Sequence, residues 1–523
     1  MKRKKLAALL LAAVTAVSLL GGCGGDTDSS GGSSEAGGEA GESGEQATDT
    51  GASSEIDMEE EPYTVAIQVV ILPGVEFTGE EEREEAINAI TVPAINCKVD
   101  IQEIAISEVA TKTSMGIASG EKLDLLHVGT VTPLSSMVGS DMLYDMNEDN
   151  LLQSRGQMLV EIFGDLLEAG NVSGQQLAVP AGVFAASAKG INYNKTIADE
   201  IGLTIPEKIT FDELDEILAK VHEARPDIKA FYSGNGQSVL LQWMQPFETF
   251  GQLCSYGVVL DPTNNMKVEN IFATDMYKEY ALRAFHWTQD GIQPGDPTDT
   301  NTAQDYFMAQ DLFCVADVMN PANTVGWQAR VAESGFEMGQ AVLVDPMITN
   351  SGITEYMWGI ASNSERPDKA MDFLNFLYSN GEVANILRYG LEGTNYEFAE
   401  GSDKIVVANG TYDPVFYVGG DTRQMHILSP AGEDYIDQLQ AMADQADTSK
   451  LCAYMFDDTD FQTESSVIYS TILEYVPRIT CGMCKSEEET LALLDEFNEA
   501  LEAAGINDVI AANQEQLDAF LAK

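Results

Sequence analysis

YTVAIQVVI (Tyr63–Ile71) is crowded with β-branched residues and carries no charge, the composition of a buried strand. The next sixty residues fix the architecture. After a Pro-Gly break at Pro73 and Gly74, the acidic segment from Glu80 to Ile90 has helical character, and CKVDIQEI (Cys97–Ile104) alternates apolar and polar as a second strand. Ser107 to Ala118 can form a helix. KLDLLHV (Lys122–Val128) is a third strand that ends at Gly129 and Thr130. Strand, helix, strand, helix, strand at this spacing means βαβ units and a mostly parallel sheet. Ligands of such sheets sit beyond the carboxyl ends of the strands, which directs attention to residues 72–75 and 129–133.

Downstream, a helical region from Gln157 to Ala169 precedes Leu177-Ala-Val-Pro180 and the strand-like run Ala188 to Lys195. Thr210-Phe-Asp-Glu213 is a capping-box arrangement. There a threonine oxygen and a glutamate three residues on satisfy amides at a helix start. That helix should run from Phe211 to about Ala224, before Pro226. A mixed region to about Thr300 holds Trp243 and Trp287. Strands are expected at Phe313 to Met319 and Gly339 to Val344, followed by Met357 to Ser362. Pro367 to Tyr378 has apolar residues at helical spacing, with Pro367 well placed in the first turn. A chain of 523 residues is too long for one compact core, so two or more lobes are expected.

The amino terminus, MKRKKLAALLLAAVTAVSLLGGCGG, has the layout of a secretory signal: four basic residues, a short apolar core and small residues before Cys23. The core is shorter than the roughly 20 residues that span a bilayer. Leu20-Gly21-Gly22-Cys23 resembles the lipobox of bacterial lipoproteins, in which the cysteine becomes the lipidated first residue. Cys23 is therefore the expected lipid attachment site. Residues 24–62 are Gly, Ser, Glu, Asp, Thr and Ala with little that is apolar, the composition of a flexible, self-repelling spacer. The chain carries 28 Lys and Arg against 84 Asp and Glu, a formal charge of −56, which argues against nucleic acid or an anionic membrane surface as partner. Six cysteines remain besides Cys23. They could form three disulfides in an exported protein. Cys481-Gly-Met-Cys484 lacks the second pair that a zinc site needs, and the four histidines are scattered, so a local disulfide or two free thiols is favoured and no metal or cofactor is expected.

The order of these pieces resembles a known family. Leu177 to Pro180 before Asn192-Tyr-Asn-Lys195, then Pro206 to Glu213, is similar to the first crossover and following helix of the extracytoplasmic solute-binding proteins of ABC transporters, of the type that binds maltose and other oligosaccharides. Ala341 to Pro346, Trp358-Gly-Ile-Ala-Ser362 and Arg366 to Ser379 resemble that family's second crossover and packing helix. Arg388-Tyr-Gly-Leu-Glu-Gly-Thr-Asn-Tyr396 and the stretch from Glu496 to Gln516 resemble a lipoprotein branch with an extended, uncharacterised C-terminal domain. Thr394 and Asn395 stand where that branch typically carries Lys-His or similar residues. The resemblance implies an α/β, two-lobed periplasmic-binding-protein-like fold with an interlobe ligand cleft and hinge crossovers. It also implies closure over the solute and docking on a membrane permease. The expected division is a signal peptide at 1–22, a linker at 23–62, one lobe from 63–185 plus about 346–400, and a second from 186–345 plus about 401–523. A monomer on the outer face of the bacterial cell membrane is expected.

A sugar offers flat C–H faces and a rim of hydroxyls, so its site pairs aromatic rings with acids, amides and arginine. Trp243, in a polar stretch, and Trp358, at a crossover, are candidate cleft residues, although tryptophans of a large protein also fill cores. Trp287, in a helix-like segment, reads as core, and Trp327 is open. Gly129 and Thr130 close a strand where the topology puts ligand. Asn320 follows a strand and could bind a hydroxyl or cap a turn. Arg388, Glu392 and Tyr396 combine charge and aromatics in a glycine-rich loop, where Arg388 and Glu392 could instead pair to stabilise it. No G-x-S-x-G, H-E-x-x-H or P-loop is present. The chain thus reads as a receptor rather than an enzyme, with an oligosaccharide as solute. A peptide receptor is the nearer alternative, and a surface glycosidase using two carboxylates is an alternative of another class.

Overall fold

The pairing of β1 (Tyr63–Ile71) with β2 (Cys97–Ala105) is parallel along the full length of both, Tyr63 opposite Cys97 and Ile71 opposite Ala105. The helix between them, α1 (Glu80–Ile95), supplies the crossover that parallel strands require. In this computed structural model, residues 56–71, 78–129, 131–234, 236, 239–245, 247–414 and 418–522 are described. The leader and most of the spacer with Cys23, residues 72–75 and Thr130 lie outside the described residues, as does the side chain of Trp243.

The chain crosses between two sheets. β3 (Leu125–Gly129) pairs parallel to β1, and β4 (Val179–Pro180) ends the first pass through the first lobe. The chain then enters the second lobe as β5 (Ala186–Asn194), adds β6 (Lys229–Phe231), β7 (Leu312–Met319) and β8 (Met338–Ile348), and returns as β9 (Tyr356–Ile360). Much later β10 (Asp447–Thr448) joins the edge of β8. The first sheet has the order β2-β1-β3-β9-β4 and the second β10-β8-β5-β7-β6. Each lobe is thus a sheet with helices packed on it, and the fold is α/β and two-lobed. The sheets are mixed rather than mostly parallel. A strand arriving directly from the other lobe enters at the opposite edge to a strand delivered by a crossover helix, so β9 runs antiparallel to both β3 and β4.

Local sequence chemistry accounts for several element ends. In α2 (Phe211–Ala224) both halves of the capping box form: the Glu213 amide donates to Thr210 Oγ1 at 3.2 Å, and the Thr210 amide donates to Glu213 Oε2 at 2.7 Å. α3 (Pro321–Val331) starts with Pro321 in its first turn and Asn320 as its cap. A single-turn helix α4 (Asn350–Thr354) lies in the return link from β8 to β9. α5 (Pro367–Ser379) and α6 (Gly381–Tyr389) follow on the first lobe.

The lobe boundaries differ from expectation beyond residue 400. Val418 is fully buried in the core that holds Val65, Ile67 and Trp358. The Tyr412 hydroxyl donates to the Leu387 carbonyl at 2.6 Å, and the guanidinium of Arg83 in α1 lies 4.0 Å over the Tyr412 ring. The segment from Tyr396 to Leu428, a three-stranded sheet of its own, therefore covers the first lobe. The chain recrosses only at about residue 430, and α7 (Tyr435–Gln445) packs on β5, β8 and α3. The C-terminal helices Gln462–Thr480, Glu487–Ala503 and Ile506–Leu521 complete the second lobe. Their Ile468, Ile472, Phe497, Leu501 and Leu517 share one core with Leu214 and Val221 of α2.

The six described cysteines are free, all buried except the half-buried Cys452. Burial pushes the Cys97, Cys452 and Cys481 thiols up to about 12. Among the described residues no group of His, Cys, Asp and Glu is placed to hold a metal ion, and no helix is long and apolar enough to cross a membrane.

Candidate functional site

Three links join the lobes, and the first two run side by side because of the strand register. β4 is antiparallel to β9, with Pro180 opposite Met357, so the first link, residues 181–185, leaves from the edge where β9 begins. Ala186 at the start of β5 lies opposite Ile348 at the end of β8, and Met347 opposite Asp447 of β10. Glu248 fastens the second link to the segment that follows β10 in the second lobe. Its carboxylate accepts the Asn350 amide at 2.7 Å and is hydrogen-bonded to Ser449; burial pushes it up from the usual carboxylate range.

On the first lobe, the edge facing these links is formed by the end of β3 and the start of β9, where Gly129 pairs with Tyr356. Gly129 has φ +144°, and a Cβ there would sit 2.0 Å from the Glu355 carbonyl oxygen, so the approach of strand to link requires glycine. Glu355 and Lys189 of β5 carry opposite charges into this junction. Burial pushes the Lys189 ammonium down, and the Asp317 and Glu355 carboxylates oppose that. Burial pushes Glu355 up, opposed by a hydrogen bond with Tyr356 and by the charge of Lys189.

On the second lobe, the register puts Asn192, Asp317 and Gln340 on one face of three adjacent strands. Gln340 Nε2 donates to Asn192 Oδ1 at 2.8 Å, Asn192 Nδ2 to Asp317 Oδ2 at 3.2 Å, and Thr324 Oγ1 to Gln340 Oε1 at 2.7 Å. The Trp327 indole N–H also donates to Asp317. A polar row with every member bonded, Asn192 buried and the others half-buried, is rigid, and it fixes the orientation of α3. The amino-terminal half of α3 then presents Pro321, Thr324 and Gln328 to a cavity of about 200 Å³, whose far wall is Pro430 to Gln438 of the third link and α7. Asn320 lies at the mouth of this helix. Its Oδ1 accepts the Asn323 amide at 2.8 Å, the capping role, while its carbonyl accepts the Thr324 hydroxyl at 3.0 Å.

The residues singled out from sequence fall in different places. Gly129 and Asn320 end strands at the facing lobe edges, and Trp243 closes a short 3₁₀ turn, Leu240–Trp243, downstream of β6. Trp358 is a correction. It is 0 % exposed in the first-lobe core, on the central strand β9, because both faces of that strand are covered. Arg388 is a second correction. Its Nη1 donates to the Pro414 carbonyl at 3.2 Å and lies 3.8 Å from Asp413, so it braces the loop over the first lobe and does not pair with Glu392. Glu392 and Tyr396 come together instead on a separate cavity of about 500 Å³, lined only by first-lobe residues. Trp287 is core, with its N–H on Asp215 at 2.8 Å, and Trp327 is nearly buried, edge-on to Phe307. Lys189, Asn192, Asp317 and Gln340 were not foreseen. The available signal was a charged or amide residue inside an otherwise apolar strand, as Asp317 is in FCVADVM.

Comparison with known proteins fits this geometry. The model of the family described as bacterial extracellular solute-binding protein matches residues 81–384, more than half of the 523, and a Domain of unknown function (DUF3502) matches residues 450–522. A carbohydrate ABC transporter substrate-binding protein of Streptococcus pneumoniae is 24% identical over 445 residues, covering 83% of this chain and 87% of its own. The crystal structure of an N-glycan transport solute-binding protein from Streptococcus pneumoniae has the same fold. Its TM-score is 0.74 at 20% identity, over 88% of this chain and 99% of that one. The structure of that protein in complex with Man5GlcNAc matches with a TM-score of 0.64 at 21% identity, over 88% and 99% of the two chains.

Proposed function

This chain belongs to the family of bacterial extracellular solute-binding proteins, and we propose that it receives an oligosaccharide in the cleft between its lobes and delivers it to a membrane permease. It is a binding protein and not an enzyme, so the glycosidase alternative is dropped. The observation that carries the saccharide reading is the second-lobe wall. A fully bonded row of amide, hydroxyl and carboxylate groups holds α3 so that Pro321, Thr324 and Gln328 meet the third link across a narrow cavity. Such a wall suits hydroxyl-rich ligands, which need both donors and acceptors. The carbohydrate named for the 24% identical relative supports the same class.

In this reading Asn320 and Trp243 contact the solute from the second lobe, and Gly129 and Thr130 from the first. Closure is a hinge motion about the three links, with Glu248 holding the second of them to the second lobe. Lipidation at Cys23 holds the receptor, as a monomer, at the outer face of the membrane. The acidic spacer gives reach, and the tether raises its effective concentration at the permease.

A thermal-shift panel of neutral oligosaccharides, with peptides run beside it, tests the assignment. A ligand that binds only the folded state raises the melting temperature by mass action. The expected result is a rise with a subset of oligosaccharides and none with peptides. A rise with peptides alone, or no response to any sugar, refutes the saccharide reading.

A further inference from the structure

The cavity beside α6 is larger than the one at the cleft and unrelated to it. At about 500 Å³ it falls within the range of small-molecule sites, roughly 300–1,000 Å³. Its eleven lining residues come from α1, α6, the turn at Gly390 and the small sheet of the first lobe, with none from the second lobe, so lobe closure does not build it.

The lining groups divide unevenly into donors and acceptors once their internal bonds are counted. Asn385 Oδ1 is taken by the His426 amide at 2.7 Å, and Gln424 Nε2 by the Tyr378 carbonyl and Asp421, both at 3.2 Å. The charge the walls offer is negative: the exposed carboxylates of Glu382 and Glu392 are acceptors, as is the Gln424 carbonyl, while Asn385 Nδ2 and the Tyr396 hydroxyl are neutral donors. None of the lining residues is Lys or Arg, and Arg388 is engaged elsewhere, at Pro414 and Asp413. The remaining wall is apolar and flat. Ile386 and Leu391 lie beside Tyr396, and the His426 ring is boxed by Tyr396 at 5.8 Å, Phe398 at 5.0 Å and Tyr389 at 6.4 Å. Burial holds the imidazole below its ordinary value, against the pull of Glu392, so it brings no positive charge at neutral pH.

We propose that this cavity is a second binding site, for a compact organic cation: a primary ammonium on a partly apolar body. The ammonium gains charge-assisted hydrogen bonds to Glu382 and Glu392 and sits against the Tyr396 ring face, while its body covers Ile386 and Leu391. An anion would meet two carboxylates with no countercharge. A neutral polyol would leave the carboxylates without a partner for their charge. An amino sugar and a linear amine share the required chemistry. The inference rests on this cavity alone and stands apart from the cleft reading.

The test uses the intact purified protein, with pentane-1,5-diamine and glucosamine as probes and pentane-1,5-diol as the neutral counterpart, followed by calorimetry and ligand-observed NMR. Glu382→Gln and Glu392→Gln are combined in one variant; both side chains are exposed, so its thermal unfolding should match the wild type. We expect at least one amine to bind the wild type and the diol not to. The double variant should weaken the amine at least about tenfold, the scale of a lost hydrogen bond to a charged group. Binding of the diamine alone assigns linear amines, and of glucosamine alone amino sugars. Diffuse attraction to a chain of charge −56 would survive the double substitution. Unchanged amine binding in that variant, equal binding of the diol, or no binding of either amine overturns the proposal.

Discussion

Acidification should loosen the first lobe through one residue, His127. Its side chain is 0 % exposed on β3, opposite Trp358 of β9, and its ring centre lies 6.0 Å from that of Tyr356. Burial pushes the imidazole from its usual 6.5 down to about 4, with a hydrogen bond to the Met357 backbone opposing the shift. Above the unfolded value both states are neutral and His127 contributes no pH dependence. Between the two values the unfolded chain takes up the proton and the folded one does not, so stability falls as the pH drops. At about 1.4 kcal/mol per pH unit the full loss is about 3 kcal/mol, and about 2.5 kcal/mol is gone by about pH 4.5. Many carboxylates titrate in the same range, so the measurement is a difference. Urea unfolding of the wild type and of His127→Phe should be followed at about pH 7 and about pH 4.5. The variant keeps a ring of similar size without the proton site. The wild type should lose about 2.5 kcal/mol more than the variant over this interval. A wild-type–variant difference that stays constant with pH would refute the reasoning.

Two substitutions test other contacts. Gly129→Ala forces a Cβ to within 2.0 Å of the Glu355 carbonyl, and overpacking of that kind costs about 1–3 kcal/mol in denaturant melts. Solute affinity should fall with it, and unchanged stability would mean that link and strand do not approach so closely in solution. Arg83→Met removes the partner of Glu103 from a pair whose side chains are 0% and 6% exposed. The stranded carboxylate should cost about 3–5 kcal/mol in chemical unfolding, with part recovered when Glu103→Leu is added. No recovery in the double variant would mean that the loss comes from the Arg83 stack on Tyr412.

Elements defined by neighbours in sequence were legible, and those defined by distant partners were not. The strands Tyr63–Ile71 and Cys97–Ala105, the helix that follows Thr210 and the helix that opens on Pro367 announce themselves by periodicity and capping groups a few residues apart. Trp358 could not be sorted that way. A tryptophan on a strand looks the same whether its face meets a cleft or a helix, and α5 decides the matter from residues downstream. Arg388 and Glu392 have helical spacing, but the helix stops at Tyr389 and the chain turns at Gly390 with φ +78°, so the spacing never becomes a contact. Arg388 finds Asp413 instead. The polar row under α3 draws on Asn192, Asp317, Thr324 and Gln340, a set that only the antiparallel register of three strands brings together. The larger cavity combines residues near 86, 390 and 425, separations at which no motif operates.

The position of β9 in the first sheet has a consequence for biosynthesis. It lies between β3 and β4, yet it is made only after the strands β5 to β8 of the other lobe. A nascent chain that has produced β1, β2, β3 and β4 still lacks the strand that joins them into one sheet. Its apolar surfaces stay unsealed until the ribosome passes Ile360. Non-local pairing of this kind is slow, since the loop must be closed before the contacts reward it. For an extracellular protein the delay is useful: a translocation channel accepts an extended chain, and this topology postpones the first folded lobe until most of the polypeptide has emerged.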